Sequence, residues 1–121
     1  MNAREHLDIF YDFKGGDPAR KTQEIDSLIH DAGLSIDQRK NSHTLSGGNK
    51  RKLSVCIALC GNSRLILLDE PTAGMDLGAR RNLWDMLKSY KKDRIIILTT
   101  HYMDEADVLG DRIGIMCKGT M

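Results

Sequence analysis

Two adjacent acids follow a short aliphatic run in the second half of the chain. The run from Leu65 to Leu68 is unbroken, and Asp69 and Glu70 come directly after it. Such runs are typical of strands buried on both faces, and open α/β sheets bind ligands at their carboxyl edge. Asp69 could hold the water shell of a Mg²⁺ ion, and Glu70 could polarise an attacking water. The alternative is a pair of acids that caps the following turn.

A serine and two glycines form a second group with chemical potential. Ser46, Gly47 and Gly48 precede a segment whose apolar residues Leu53 and Ile57 have helical spacing. Glycines at a helix N-terminus let the backbone approach a phosphate, and the helix dipole favours negative charge there. The alternative is an ordinary N-cap made by Ser46 or Gly48.

A histidine follows the next aliphatic run. Ile95 to Leu98 predicts another buried strand, and His101 stands three residues after it. Because the carboxyl ends of parallel strands meet at one edge, we expect His101 to lie near Glu70. It could hydrogen-bond a terminal phosphate there, whereas a lone histidine would more often be a surface residue or a cap.

The elements that must position these residues differ between the two halves of the chain. Residues 6–13 predict a helix, and Asp17 and Pro18 predict an N-cap and a first helical residue of a second helix that stops near Gly33. The second half alternates aliphatic runs with helical patterns. Strands are predicted at 65–68, 95–98 and 113–116, and helices at 79–90 and 103–109. This alternation predicts a parallel α/β sheet that follows an all-helical part.

Composition and charge exclude several classes of protein. The net charge is +1, with nine basic and eight acidic residues in 1–60 and nine of each in 61–121. A balanced charge argues against a nucleic-acid partner, and no apolar run approaches the ~20 residues that span a bilayer. Cys56, Cys60 and Cys117 make an odd count without zinc spacing, which predicts reduced thiols.

Taken together, these residues resemble the ATP-binding cassette ATPases that power ABC transporters. The matching segments are Leu45 to Gly48 for the signature motif, Leu65 to Glu70 for the Walker B strand with its catalytic glutamate, Ala73 to Asp76 for the D-loop, and His101 for the switch histidine. Several segments are similar to the eukaryotic subfamily A lipid exporters in particular: Gly47 to Ser54, Gly74 to Asp76, Ala79 to Arg81 and His101 to Ala106.

The resemblance implies a fold and a division of the chain. The expected fold is a P-loop NTPase-like α/β fragment. Residues 1–60 would form a helical subdomain that ends with the signature motif and its helix, and 61–121 the C-terminal part of the parallel-sheet core. The family's Walker A loop has no match, because the nearest string, Gly15 to Thr22, has Arg20 where a glycine belongs. We therefore expect that the isolated chain neither binds ATP tightly nor hydrolyses it, and that it exposes apolar surface.

The resemblance also implies ATP and Mg²⁺ as cofactors and assigns roles to residues within one cassette. Asp69 would serve Mg²⁺, Glu70 would act as general base, and His101 would contact the γ-phosphate. These are the catalytic and metal-binding roles that the family motif places on these positions.

Further roles involve a second cassette, which the resemblance pairs head to tail with this one. Ser46, Gly47 and Gly48 would reach the ATP bound by that partner, and Asp76 would lie at the interface between the two. The transmembrane domains of the transporter are expected as partners outside this chain, which would place it at the cytoplasmic face of a membrane.

Two other functions compete with a cassette of a lipid exporter. One is a soluble ABC-type ATPase that works on ribosomes or DNA, which the balanced charge disfavours. The other is a non-catalytic interaction module that offers its signature face to a complete cassette, which ATP-dependent pull-down of such a cassette would favour.

Overall fold

The computed structural model describes residues 1–36, 39–92, 94–110 and 112. Its elements in chain order are α1 (Ala3–Phe13), α2 (Lys21–Asp31), α3 (Gly47–Leu59), β1 (Leu65–Asp69), α4 (Leu77–Tyr90), β2 (Ile95–Thr99) and α5 (Met103–Leu109). Short 3₁₀ turns occupy Pro18–Arg20, Ser42–Thr44 and Cys60–Asn62. The predicted order, helices first and then alternating strands and helices, is confirmed over these residues.

Local capping explains where the first two helices begin. Asn2 Oδ1 accepts a hydrogen bond from the Glu5 backbone N at 2.9 Å, and the Glu5 carboxylate accepts from the Asn2 backbone N at 3.0 Å. This reciprocal capping box starts α1 at Ala3, three residues before the predicted start. Asp17 Oδ1 accepts from the backbone N of Ala19 at 3.0 Å, so the predicted cap is confirmed on the 3₁₀ turn that leads into α2.

The two strands lie side by side and run parallel. Leu65 pairs with Ile95 and Asp69 pairs with Thr99, so both carboxyl ends meet at the same edge. The α4 helix makes the crossover between them, as the alternating pattern predicted. The third predicted strand, at 113–116, and Cys117 lie outside the described residues.

The prediction that these strands are buried on both faces is wrong. Side chains on the face that packs into the core with α3 are enclosed, with Ile66 only 2% exposed. The alternate side chains lie on an open face: Leu65, Leu67, Ile95 and Ile97 are all more than half exposed. The period of two residues along a strand separates the two sets, and the described helices cover only one of the faces. The expected exposure of apolar surface is confirmed.

One continuous apolar core joins the helical part to the sheet. It includes residues of every element from α1 to α4, such as Leu7, Ile29, Leu59, Ile66 and Leu83. The end of α3 and the start of β1 are thereby held at a defined position against the first helices. Among the described residues, no helix has the length and apolar character needed to cross a membrane.

Two of the three cysteines lie in this core as free thiols. Cys56 and Cys60 are fully buried, which agrees with the predicted reduced state. Burial raises the pKa of the Cys56 thiol to about 12, and burial also raises the pKa of Cys60. Neither thiol is therefore a nucleophile at neutral pH.

Candidate functional site

The glutamate and the histidine predicted at one sheet edge are in contact. His101 Nδ1 lies 2.6 Å from Glu70 Oε1, and both side chains remain partly open to solvent, at 60% and 42% exposed. The backbone N of Glu70 donates to the Thr99 carbonyl at 2.8 Å, which extends the strand pairing one residue beyond Asp69. The parallel register thus places the two side chains opposite each other.

The backbone of Glu70 adopts a left-handed conformation, with φ of +46°. A non-glycine residue in that region costs about 1–2 kcal/mol, and the surrounding structure must hold it there. The backbone N of Glu70 is held by the Thr99 carbonyl, and the Glu70 carbonyl accepts from Arg51 Nη1 at 3.0 Å and from the Ala73 backbone N at 3.2 Å. The strained turn directs the Glu70 side chain along the sheet edge toward His101.

Asp69 is the last residue of β1 and its side chain is exposed at the same edge. Its Oδ1 accepts a hydrogen bond from the Thr99 hydroxyl, which orients the carboxylate. The described residues contain no group of three or more His, Cys, Asp or Glu arranged to hold a metal. Mg²⁺ fits this donor set because it prefers oxygen ligands and takes few protein carboxylates, the rest being water and phosphate.

The signature segment forms the N-terminus of α3. Ser46 is the N-cap, and its hydroxyl accepts from the backbone N of Asn49 at 3.1 Å, so the ordinary capping role is realised. A Cβ added to Gly47 or Gly48 would meet nothing within 4 Å. Among the described residues, nothing therefore requires glycine at these two positions, whereas a group that approaches the backbone from outside would.

Asp76 lies at the start of α4. Its Oδ1 accepts from the backbone N of Ala79 at 2.7 Å, which makes it the N-cap of the helix, and it is exposed. Among the described residues, no hydrogen bond joins Ser46 or Asp76 to the Glu70–His101 pair. The structure brings together the strand-end residues, while the two helix N-termini remain separate surfaces.

A buried glutamate behind this site was not expected from the sequence. Glu105 on α5 is 0% exposed, and its Oε2 accepts from the Thr72 hydroxyl and from Trp84 Nε1, the latter at 2.9 Å. Its other oxygen, Oε1, is buried and has no hydrogen-bond partner within the described part of the chain. The spacing of four residues after His101 was the only available signal, and it does not by itself indicate burial.

An arginine packs against Trp84, whose indole N–H binds this buried glutamate. The Arg80 guanidinium lies 4.1 Å from the Tyr102 ring centroid and 5.1 Å from that of Trp84, distances typical of cation–π contacts. Arg80 also pairs with Asp104 at 3.3 Å. The Tyr102 ring in turn lies 4.2 Å from the His101 ring, so the cluster reaches the sheet edge that carries Glu70 and His101.

Comparison with known families and proteins gives consistent matches. The family model described as "ABC transporter" matches residues 1–73. The human phospholipid-transporting ATPase ABCA3 is 47% identical over 121 residues, which is 100% of this chain and 7% of that protein. The Arabidopsis thaliana ABC transporter A family member 9 is 47% identical over 100% of this chain and 13% of its own length.

A solved structure supports the fold. It is described as the dimeric post-hydrolysis state of the ATP-binding cassette MJ0796 bound to ADP and Pi, and it aligns with a TM-score of 0.77 at 21% identity. The alignment covers 89% of this chain and 49% of that one. The chain therefore has the fold of an ABC ATPase over about half of a cassette, and it spans a small part of the curated relatives.

Proposed function

This chain belongs to the ABC transporter family, and on that premise we propose that it supplies the signature-motif and Walker B side of an ATP-hydrolysing cassette. The observation that carries the proposal is the contact between Glu70 and His101 beside Asp69, at the carboxyl edge of two parallel strands. The division into a helical subdomain over 1–60 and a sheet portion over 61–121 belongs to the same proposal.

Glu70 acts in this proposal as the general base. Its Oε1 is engaged by His101, and its side chain is 42% exposed, so the second carboxylate oxygen can accept a proton from a water at the edge. Positioned proton acceptance of this kind contributes ~10²–10⁴-fold to a hydrolysis rate.

His101 orients Glu70 and contacts the terminal phosphate. With Nδ1 donating to the Glu70 carboxylate, Nε2 is the ring nitrogen that remains for a phosphate oxygen. A neutral imidazole has only one N–H, so donation from both nitrogens at once requires the doubly protonated ring. His101 can therefore serve Glu70 and phosphate together only as the imidazolium.

Asp69 provides the carboxylate for Mg²⁺. The Thr99 hydroxyl donates to Asp69 Oδ1, so Oδ2 is the oxygen that we assign to Mg²⁺. When bound, the ion would neutralise charge on the phosphate oxygens of ATP. Thr99 thereby positions the metal-binding carboxylate, while its backbone carbonyl positions Glu70.

Ser46, Gly47 and Gly48 are assigned to the ATP of a second cassette. They form the open N-terminus of α3, where backbone N–H groups and the helix dipole favour an anion. Asp76, exposed at the start of α4, would lie at the interface between the cassettes. Head-to-tail pairing is consistent with the dimeric form of the solved relative.

Phospholipid is the transported substrate that we propose. The support is the printed function of the human relative, a phospholipid-transporting ATPase, at 47% identity over the whole of this chain. The transmembrane domains would then be the partners that ATP hydrolysis drives, with the chain at the cytoplasmic face of the membrane.

The test is turnover in a chimaeric protein. This chain replaces the aligned 121 residues of human ABCA3, and phosphate release is measured in phospholipid vesicles. Glu70→Gln is expected to lower the rate by at least ~100-fold, because it removes the proton acceptor. His101→Gln is expected to lower it similarly, and His30→Gln, an exposed histidine on α2, serves as the matched control. Full turnover by the Glu70→Gln chimaera would refute the proposed role.

The chain alone provides a second arm of the experiment. The 121-residue chain is expected to release phosphate no faster than its own Glu70→Gln variant. Steady release clearly above that control would contradict the expectation that the isolated chain is inactive.

A further inference from the structure

We infer that Glu105 is the positioning residue that holds the Glu70–His101 pair in register with α4. The inference rests on the proposed function of that pair. Glu105 touches neither member of the pair, and it acts through the groups that bind its carboxylate. It lies in the first turn of α5, which begins two residues after His101.

Thr72 connects Glu105 to the turn that carries Glu70. Thr72 is fully buried, stands two residues after Glu70, and donates its hydroxyl to Glu105 Oε2. The Glu70–His101 contact and this hydrogen bond join the same two segments of chain at two points. A displacement of α5 relative to the turn would therefore break one of them.

Trp84 connects Glu105 to α4. Trp84 Nε1 donates to the same oxygen, Glu105 Oε2, at 2.9 Å. Asp76 caps the N-terminus of that helix, so the residue assigned to the interface is linked to Glu105 through one rigid element. One carboxylate oxygen on α5 is thus the shared acceptor for a donor from the catalytic turn and a donor from α4.

Glu105 and its partners are buried. Glu105 is 0% exposed and Trp84 is 7% exposed, and the Arg80 guanidinium lies over the Trp84 ring. Hydrogen bonds in such a dry environment are strong, and an unpaired polar group there is costly. Replacement of this carboxylate alone by an apolar side chain would leave the Thr72 hydroxyl and the Trp84 indole N–H buried without their acceptor, which is costly. The shared acceptor geometry therefore requires a side-chain carbonyl oxygen at this position, which Glu105 supplies.

Two substitutions separate the hydrogen bonds from the charge. Glu105→Gln keeps a carbonyl oxygen that can accept from Thr72 and Trp84, whereas Glu105→Met removes both acceptors at similar volume. Asp85→Asn, at an exposed position on α4, is the matched control. In the chimaera, Glu105→Met is expected to lower kcat by ~10–100-fold with KM for ATP changed by less than ~2-fold. Glu105→Gln is expected to restore most of the rate.

Spectroscopy on the 121-residue chain tests the inference without turnover. Trp84 is the single tryptophan, and its emission reports the bond to Glu105. The imidazole NMR resonance of His101, assigned with a His101→Gln variant, reports the catalytic edge. Both signals are expected to shift in Glu105→Met and to stay near wild type in Glu105→Gln and Asp85→Asn.

The outcomes distinguish this inference from the proposed function. An unchanged His101 resonance in Glu105→Met overturns the positioning role, and so does equal loss of kcat in Glu105→Gln and Glu105→Met. A chimaera that is inactive without any substitution counts against the proposed function, while the His101 resonance still decides the role of Glu105. If Glu105→Met does not fold, Thr72→Val removes one donor at constant shape, and its His101 resonance decides the question in the same way.

Discussion

Lys14 closes the C-terminal end of the signature helix and offers a sharp test of how that helix is held. Its ammonium donates to the carbonyl oxygens of Ile57, Ala58 and Cys60, the last two at 3.1 and 3.0 Å. Carbonyls at a helix C-terminus lack intrahelical donors and carry partial negative charge. The aliphatic stem of Lys14 lies over Gly61, where an added Cβ would come within 2.9 Å of it.

The expected cost of Lys14→Met follows from these contacts. Methionine keeps the apolar stem but removes all three donors. Hydrogen bonds to a charged group contribute ~1.5–3 kcal/mol each, but they share one ammonium and are not additive. Burial lowers the pKa of Lys14, so desolvation of the ammonium offsets part of the gain. We therefore expect a loss of about 2 kcal/mol in the free energy of unfolding, toward the low end of the range.

Urea denaturation of the 121-residue chain, followed by Trp84 fluorescence, measures this loss. A change of about 2 kcal/mol corresponds to a fall of ~8 °C in Tm, given the unfolding entropy expected for this length. Lys92→Met removes an exposed lysine and is the matched control, expected within ~0.5 kcal/mol of wild type. Equal stability of Lys14→Met and Lys92→Met would refute the stabilising role of the Lys14 hydrogen bonds at the end of α3.

Three further predictions concern the strained turn, a buried thiol and the cap of α3. Glu70→Gly should unfold with a free energy about 1 kcal/mol higher than Glu70→Ala, since only glycine adopts φ of +46° without cost, and equal values in urea would contradict the strain. Cys56 stays protonated in the folded state, where its pKa is about 12. In the unfolded state its thiol ionises near pH ~8.5. The contribution of Cys56 to stability therefore falls by about 1.4 kcal/mol per pH unit as the pH rises between these two values. The stability difference between wild type and Cys56→Ala should accordingly shrink from pH 8.5 to 10.5 in reducing buffer, and a constant difference would exclude that linkage. Ser46→Ala should lower the free energy of unfolding by about 1 kcal/mol, and Ser46→Asp should leave it almost unchanged. Equal losses of stability in the two variants, measured by thermal melting, would show that the cap contributes little.

Much of the fold followed from local patterns in the sequence. The Asp17 cap with Pro18 and the helical segments of both halves are short-range features, each decided within a few residues. The aliphatic runs predicted the two parallel strands, and their register brought Glu70 to His101 as expected. The error over buried faces had a different origin, because an unbroken apolar run does not say how much of the sheet is covered.

The candidate site was only partly accessible to such reasoning. Asp69, Glu70 and His101 were predicted because they follow aliphatic runs, and their assigned roles came from the resemblance to the ABC ATPase motifs. Glu105 carried no such signal, since an acid on a short helix is ordinarily solvated and its burial depends on Thr72, 33 residues earlier. No local rule connects residues so far apart.

The sequence by itself determined which residues stand at strand ends and helix N-termini, because alternation, apolar runs and capping act between neighbours. The tertiary structure alone decided the left-handed turn at Glu70, the support of its carbonyl by Arg51, and the acceptor role of Glu105. These features arise where segments distant in sequence pack together. Each depends on the side chains and backbone groups that surround it, which no run of adjacent residues specifies.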